Sequence, residues 1–156
     1  MSQAERWPSG LTPESAPVYS RNELNTSVSP AALWPVLVAV MDWPDWYPNA
    51  ANVGTSDGLS TLHLGSRFTW KTMGVTVTSE VVEFETDHSL AWTARSAGSH
   101  GFHRFDFTPV DGGGCRITTE EVEGGIGPRL ISRRLKRDLL RFHQVWLEEL
   151  VKRASS

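Results

Sequence analysis

The chain contains a single cysteine, Cys115, so it can form no internal disulfide. No apolar run approaches the roughly 20 residues that a membrane span requires. The opening residues, MSQAERWPSG, lack the apolar core of a secretory leader. The expectation is a cytoplasmic protein without a membrane span. There is no basic excess either. The net charge is -3 with histidine neutral, and the pI is near 5.9, the reverse of the electrostatic footprint of a nucleic-acid binder. The usual catalytic loops are absent too. No G-x-S-x-G occurs, and the glycine groups DGGG (111–114) and EGGIG (123–127) match neither a phosphate loop nor a dinucleotide fingerprint. Cys115 has Arg116 as its only basic neighbour, and strand alternation sends the two to opposite faces. A buried, inert thiol is expected.

What is present describes one globular domain. A chain of 156 residues can bury a core of its own, and hydrophobic residues make up 39% against 21% charged. Seven tryptophans are many for this length, and their area must be buried somewhere. Residues 42–49, DWPDWYPN, are too short and too proline-broken for a long helix, yet too aromatic for a solvated loop.

Residues 1–17, rich in proline and serine, read as a tail that is ordered only if Trp7 or Leu11 docks on the body. From Val18 to Val28 the even positions carry Ser20, Asn22 and Leu24 while Arg21 and Glu23 point away, as in a strand. Ser29-Pro30 reads as an N-cap followed by proline at the first helical position. Leu33, Val36, Leu37 and Val40 continue at helical spacing, and the helix ends by Asp42. Pro35 should bend this helix or shift its start.

Short strands joined by tight turns fill the middle. Phe68, Trp70 and Thr72 share one face, as do Leu90, Trp92 and Ala94, and then His103, Phe105 and Phe107 against outward Arg104 and Asp106. In VTVTSEVVEFE the apolar parity switches near Val81-Val82, which predicts a bulge. DGGG predicts a hairpin turn, after which Cys115, Ile117, Thr119 and Glu121 share a face. A long helix from about Pro128 to Lys152 closes the chain. Its stripe of Ile131, Leu135, Leu139, Phe142, Trp146 and Leu150 runs over about five turns. Its basic residues, Arg129, Arg133, Arg134, Lys136, Arg137 and Arg141, read as the solvated face opposite that stripe.

The ordered segments SPAALWPVLVAVMDWPDWYPNAANV, LGSRFTW, SEVVEFETDHSLAWT, HRFDFTPVDGGGCRITTEEVEGG and the terminal helix resemble the START-like, helix-grip proteins. This group is also known as SRPBCC, or polyketide cyclase/dehydratase and lipid-transport proteins. The resemblance covers roughly residues 18–152, and the domain is placed at 18–153. It implies an α+β helix-grip fold, in which a curved six- or seven-stranded antiparallel sheet wraps a long C-terminal helix and leaves an internal cavity. It further implies that the segment after the first helix lines the cavity mouth, which places Trp43, Trp46 and Tyr47 there.

The candidate ligand-binding residues are these three, together with Phe68, Trp70, Trp92, His103, Phe105, Thr119, Glu121, Leu139 and Phe142. Polar groups on inward faces are costly in a packed core but useful in a cavity. Counted outward from Gly112, His103 and Glu121 are equidistant from the turn and should face each other across the hairpin. They are the only pair nominated as general acid and base. No metal and no cofactor are expected. His100 and His103 could approach each other, but a third ligand is not evident. Three functions stay open: a carrier of a hydrophobic small molecule, a polyketide cyclase or dehydratase, and a protein-interaction module. The expected partner is a hydrophobic ligand, with the chain as a monomer or homodimer.

Overall fold

The computed structural model describes residues 3–156. Residues 1 and 2 of the expected tail lie outside the described residues. Seven strands form one antiparallel sheet: β1 (Val18–Thr26), β2 (Ala51–Thr55), β3 (Arg67–Thr72), β4 (Val75–Glu85), β5 (Ser89–Ser96), β6 (Ser99–Pro109) and β7 (Cys115–Gly124). Their spatial order is β1-β7-β6-β5-β4-β3-β2. Strands two to seven thus form a meander, and β1 returns to close it beside β7. The short β2 escapes sequence reading because it hardly alternates: Asn52 adopts a positive φ of 52°, and the register slips between Ala51 and Gly54.

The remaining elements cover the concave face. Helix α1 (Pro30–Val38) is capped by the Ser29 hydroxyl, which accepts from the Ala32 backbone N–H at 3.3 Å. Pro35 does not shift its start, and the helix stops three residues later at Val38. A 3-10 turn over Val40–Asp42 and a one-turn helix α2 (Trp43–Trp46) follow. The expected single terminal helix is two: α3 (Ile126–Leu130) and α4 (Ser132–Ala154), broken at Ile131 (φ −122°, ψ 27°). Ile131 is accordingly half exposed and not part of the buried stripe. The residues that α4 buries are Leu139, His143, Trp146, Leu147 and Leu150. Phe142 is only half buried, its ring covered by the Arg141 guanidinium at 5.1 Å. Among the described residues no helix is long and apolar enough to cross a membrane.

Strand parity follows the sequence reading in the middle of the sheet. The bulge in β4 lies where expected: Val81 pairs with Trp92 and Glu83 with Ala91, leaving Val82 as the extra residue. In the β6–β7 hairpin Phe107 opposes Ile117 and His103 opposes Glu121. On the outer face Arg104 lies opposite His103, as its parity requires, and is fully buried, bound to Asp106 at 3.0 Å, to Glu83 at 3.1 Å and to the Arg6 carbonyl at 3.0 Å. The N-terminal segment supplies the cover. Trp7 and Leu11 dock there with Ala91, Phe102 and Val122 as a second, smaller core, so the condition for an ordered tail is met.

Trp146 lies at the centre of the main core. Its indole stacks on Tyr47 at 4.3 Å and meets Trp43 and Phe105 edge-on, each at 5.1 Å. Trp146→Ala is therefore expected to cost about 3–5 kcal/mol of stability by chemical denaturation. A loss under about 1 kcal/mol would place this face of α4 outside the core.

Candidate functional site

Between α4 and the concave sheet lies a cavity of about 330 Å³. It sits at the end of the sheet where the β3–β4 and β5–β6 turns meet the α3–α4 break, and Ile131 and Arg134 stand at its exposed border. Tyr47, Trp70, Trp92 and Phe142 supply aromatic wall, and Leu139 adds an aliphatic one. His103 and Glu121 also line it. The other candidates lie in the packed interior beside the cavity and do not line it. Trp43 is fully buried with its indole N–H donated to the Leu37 carbonyl at 2.9 Å. Trp46, Phe68 and Phe105 are core as well. Of the aromatic residues in segment 42–49, then, only Tyr47 lines the cavity, joined there by Asn49 of the same segment. Thr119 acts one layer back, hydrogen-bonded to His103 Nε2 at 2.7 Å.

The inner end of the cavity is polar. Pairing places His103 and Glu121 side by side, with His103 Nδ1 3.2 Å from Glu121 Oε2. A third group arrives from α4: His143 Nε2 lies 2.9 Å from the same carboxylate oxygen. The outer nitrogen of each ring also has a hydroxyl partner, Thr119 for His103 and Ser20 for His143, the latter at 3.4 Å. With both imidazoles neutral, each inner N–H donates to Glu121 and each outer nitrogen accepts from a hydroxyl. All four ring nitrogens are then satisfied, as burial demands.

Glu123 completes the cluster. It sits two residues beyond Glu121 on the same face of β7, opposite Gly101, and accepts from the Ser99 hydroxyl at 2.7 Å. Its partner on β6 has to be small. A Cβ at position 101 would lie 2.7 Å from the Glu123 carboxylate.

Sequence reading missed His143 and Glu123. Both left a signal. His143 lies four residues after Leu139 and three before Trp146, the centre of the apolar stripe, so a histidine there must face the sheet. Glu123 continues the parity of Ile117, Thr119 and Glu121. His100 and His103, which could have approached each other on the hairpin, do not: His100 is exposed, and the odd spacing puts the two on opposite faces.

Burial governs the protonation of this cluster. It holds His103 well below the ordinary imidazole value, helped by repulsion from His143. Burial lowers His143 to about 4. The same desolvation raises Glu121, and it raises Glu123 strongly, reinforced by the hydrogen bond to Glu121 and by that group's charge. A histidine depressed in the folded state binds its proton sooner in the unfolded chain. Stability on its account is therefore full above about pH 6.5 and is lost as pH falls toward about 4. The raised carboxyls act in the opposite sense, favouring the folded state as pH falls. Removing His143 should thus weaken acid destabilisation. In chelator-treated protein, His143→Gln should lose less stability between pH 7 and pH 5 than wild type, by on the order of 1–2 kcal/mol in urea titrations. Parallel losses in the two proteins would mean that His143 is not held neutral.

Comparison with known proteins agrees with this architecture. The model of the family described as polyketide cyclase / dehydrase and lipid transport matches residues 22–154. No curated protein is significantly similar in sequence. Among solved structures, a hypothetical protein of Helicobacter pylori, jhp0584, superimposes with a TM-score of 0.88 at 26% identity, over 96% of this chain and 95% of that one. The Zhui aromatase/cyclase of Streptomyces sp. R1128 gives 0.70 at 14% identity, over 88% and 93%. A START superfamily protein of Mycobacterium smegmatis gives 0.68 at 11% identity, over 88% and 97%. The last two likenesses are of fold alone. The family match spans most of the chain and the sheet wraps α4 as the helix-grip fold requires, so the protein belongs to the polyketide cyclase / dehydrase and lipid transport family.

Proposed function

We propose that the protein binds one flat, mainly apolar small molecule, lipid- or polyketide-like, with its oxygen-bearing end on His103, Glu121 and His143. The observation that carries this reading is a cavity of about 330 Å³ whose walls are indole and phenyl rings and whose inner end is a buried His–Glu–His cluster. The volume lies at the lower end of the range for small-molecule sites, about 300–1,000 Å³. Trp70 and Trp146 add further indole wall for a flat guest.

The same cluster favours a second reading, a cyclase or dehydratase. Glu121 is held between two imidazoles at 3.2 and 2.9 Å. A carboxylate so placed can take a proton from carbon beside a ligand carbonyl, and an imidazole N–H that leaves Glu121 as that proton arrives can donate to the ligand oxygen, the pairing that general acid–base chemistry requires. The interaction-module reading asks for a filled cavity, and the space above Trp70 and Trp92 counts against it.

Native mass spectrometry of the protein as purified, followed by tryptophan fluorescence titration with hydroxylated naphthalenes, tests the binding reading. The probes should quench the cavity tryptophans. Phe142→Ala, at a half-buried position, should weaken them about tenfold while changing stability little. His103→Ala should erase the preference for a hydroxylated probe over bare naphthalene. If no molecule co-purifies and no probe perturbs the fluorescence, the cavity is not a binding site. Loss of poly-β-ketone turnover in Glu121→Gln, with probe binding kept, would decide for the enzyme.

A further inference from the structure

Among the described residues one group of three metal-ligating side chains converges: His103, Glu121 and His143, whose donor atoms all lie within 4.8 Å of one another. We propose that these three residues form a binding site for a divalent transition-metal ion of the zinc type, with its fourth coordination position open to the cavity. The ligands come from three elements, β6, β7 and α4, so the site exists only in the folded chain.

The distances suit an ion. Zinc–nitrogen and zinc–oxygen bonds of about 2.0–2.2 Å in a tetrahedron put neighbouring donors about 3.3 Å apart. The two imidazole–carboxylate separations are 3.2 and 2.9 Å and need a few tenths of an ångström of spreading, while the two imidazole nitrogens, within 4.8 Å of each other, have to close toward the same distance around the ion. Two histidines and one carboxylate with an open position is a donor set that zinc and ferrous iron both accept.

The surroundings are those of a metal site rather than of a casual polar cluster. A ligating histidine ordinarily donates its other ring N–H to an oxygen, which fixes the tautomer and the ring. Both rings have that partner here. Thr119 Oγ1 lies 2.7 Å from Nε2 of His103, and Ser20 Oγ lies 3.4 Å from Nδ1 of His143. A hydroxyl can donate or accept, so metal binding needs only a tautomer change. The ring proton moves to the outer nitrogen and donates to the hydroxyl, and the inner lone pair turns to the ion. Glu121 binds as the carboxylate, releasing any proton it holds. Glu123, on the same face of β7, adds a second acidic group beside the ion, and all three ligands line the cavity, so the fourth position faces a ligand or water. The proposal does not depend on the small-molecule reading, because its test uses the metal alone.

The chelator-treated full-length protein is titrated with Zn²⁺ by calorimetry and with Co²⁺ by visible absorption. One equivalent of Zn²⁺ should bind, and Co²⁺ should give the intense bands of a four-coordinate site. His143→Ala and Glu121→Gln should each weaken Zn²⁺ at least roughly tenfold, and Thr119→Val, which alters only the partner of His103, should weaken it about tenfold. His63→Ala, at the exposed pair with Asp57, should change nothing. A wild-type measurement guards against variants that fail to fold: on adding Zn²⁺, the ring nitrogen resonances of His103 and His143 should shift together, and those of His63 should not. The proposal is overturned if wild type takes up no stoichiometric Zn²⁺, if binding survives in both ligand variants, or if the responding resonances belong to the surface histidines.

Discussion

Pressing the Trp146 indole onto the concave sheet fixes where everything else on α4 can go. The ring touches Trp43 from α2 and Tyr47 just after it, Trp70 from β3, Trp92 from β5, and His103 and Phe105 from β6. One side chain thus ties the helix to four other elements. His143 lies three residues before it, on the same face of α4 and one turn nearer the cavity. Once Trp146 is seated, the His143 imidazole has nowhere to go but against Glu121. The polar cluster is a consequence of apolar packing. Its own desolvation is unfavourable, and it persists because every ring nitrogen finds a partner and the surrounding aromatic area is large.

How much of this was legible in the sequence depends on whether the deciding force was local. Strand parity is local, so the inward faces of β3, β5, β6 and β7 could be read directly. The hairpin register is nearly local: DGGG fixes the turn, and counting outward from it places His103 opposite Glu121. The bulge at Val82 announced itself as a break in alternation. What failed was set at long range. A helical stripe read from hydrophobicity alone chose Phe142, because His143 is not apolar. Tertiary contact keeps Leu139, Trp146 and Leu150 of that stripe but extends the buried face toward His143 and Leu147, leaving Phe142 at its edge. The break at Ile131 was hidden for a related reason, since the apolar pattern continues through it. The fate of Trp43 and Trp46 shows a further limit. Aromatic residues build cavity walls and cores alike, and only the fold says which.

The outer face of the sheet repeats the lesson with opposite sign. Arg104 alternates with His103 and Phe105 and so leaves the sheet on the opposite face. The N-terminal segment buries it, with Trp7 lying 5.8 Å from the guanidinium. A buried guanidinium is tolerable only when its donors are matched. Here Asp106, Glu83 and the Arg6 carbonyl match them. Sequence parity says which side of a sheet a residue leaves from, and it cannot say what later arrives to cover that side. The covering segment also backs the strands whose inner faces carry the candidate site, since Phe102 and Val122 beneath Trp7 and Leu11 adjoin His103 and Glu121 in β6 and β7.

The two ends of the sheet explain why a cavity exists at all. At the end of the DGGG turn, α1 drives Trp34 between Phe84 and Phe107, with ring centroids 5.1 and 6.0 Å apart, and Leu33, Leu37 and Ile117 close the space. At the opposite end the sheet offers small side chains, Ala94, Ser96 and Ala97, and the helix that might fill the gap is interrupted at Ile131. Gly127 approaches the Gly98 carbonyl and donates its N–H at 3.0 Å, which pins α3 to the β5–β6 turn rather than letting it continue α4 across the opening. Filling that end would have required only larger residues on β5 and an unbroken helix. The chain instead keeps small residues and a break there, while placing two histidines and two glutamates at the inner limit of the unfilled space. Packing alone gives no reason for that combination, since either feature by itself lowers stability. The binding mode proposed above, with a guest entering from one end and its polar atoms at the other, would account for both.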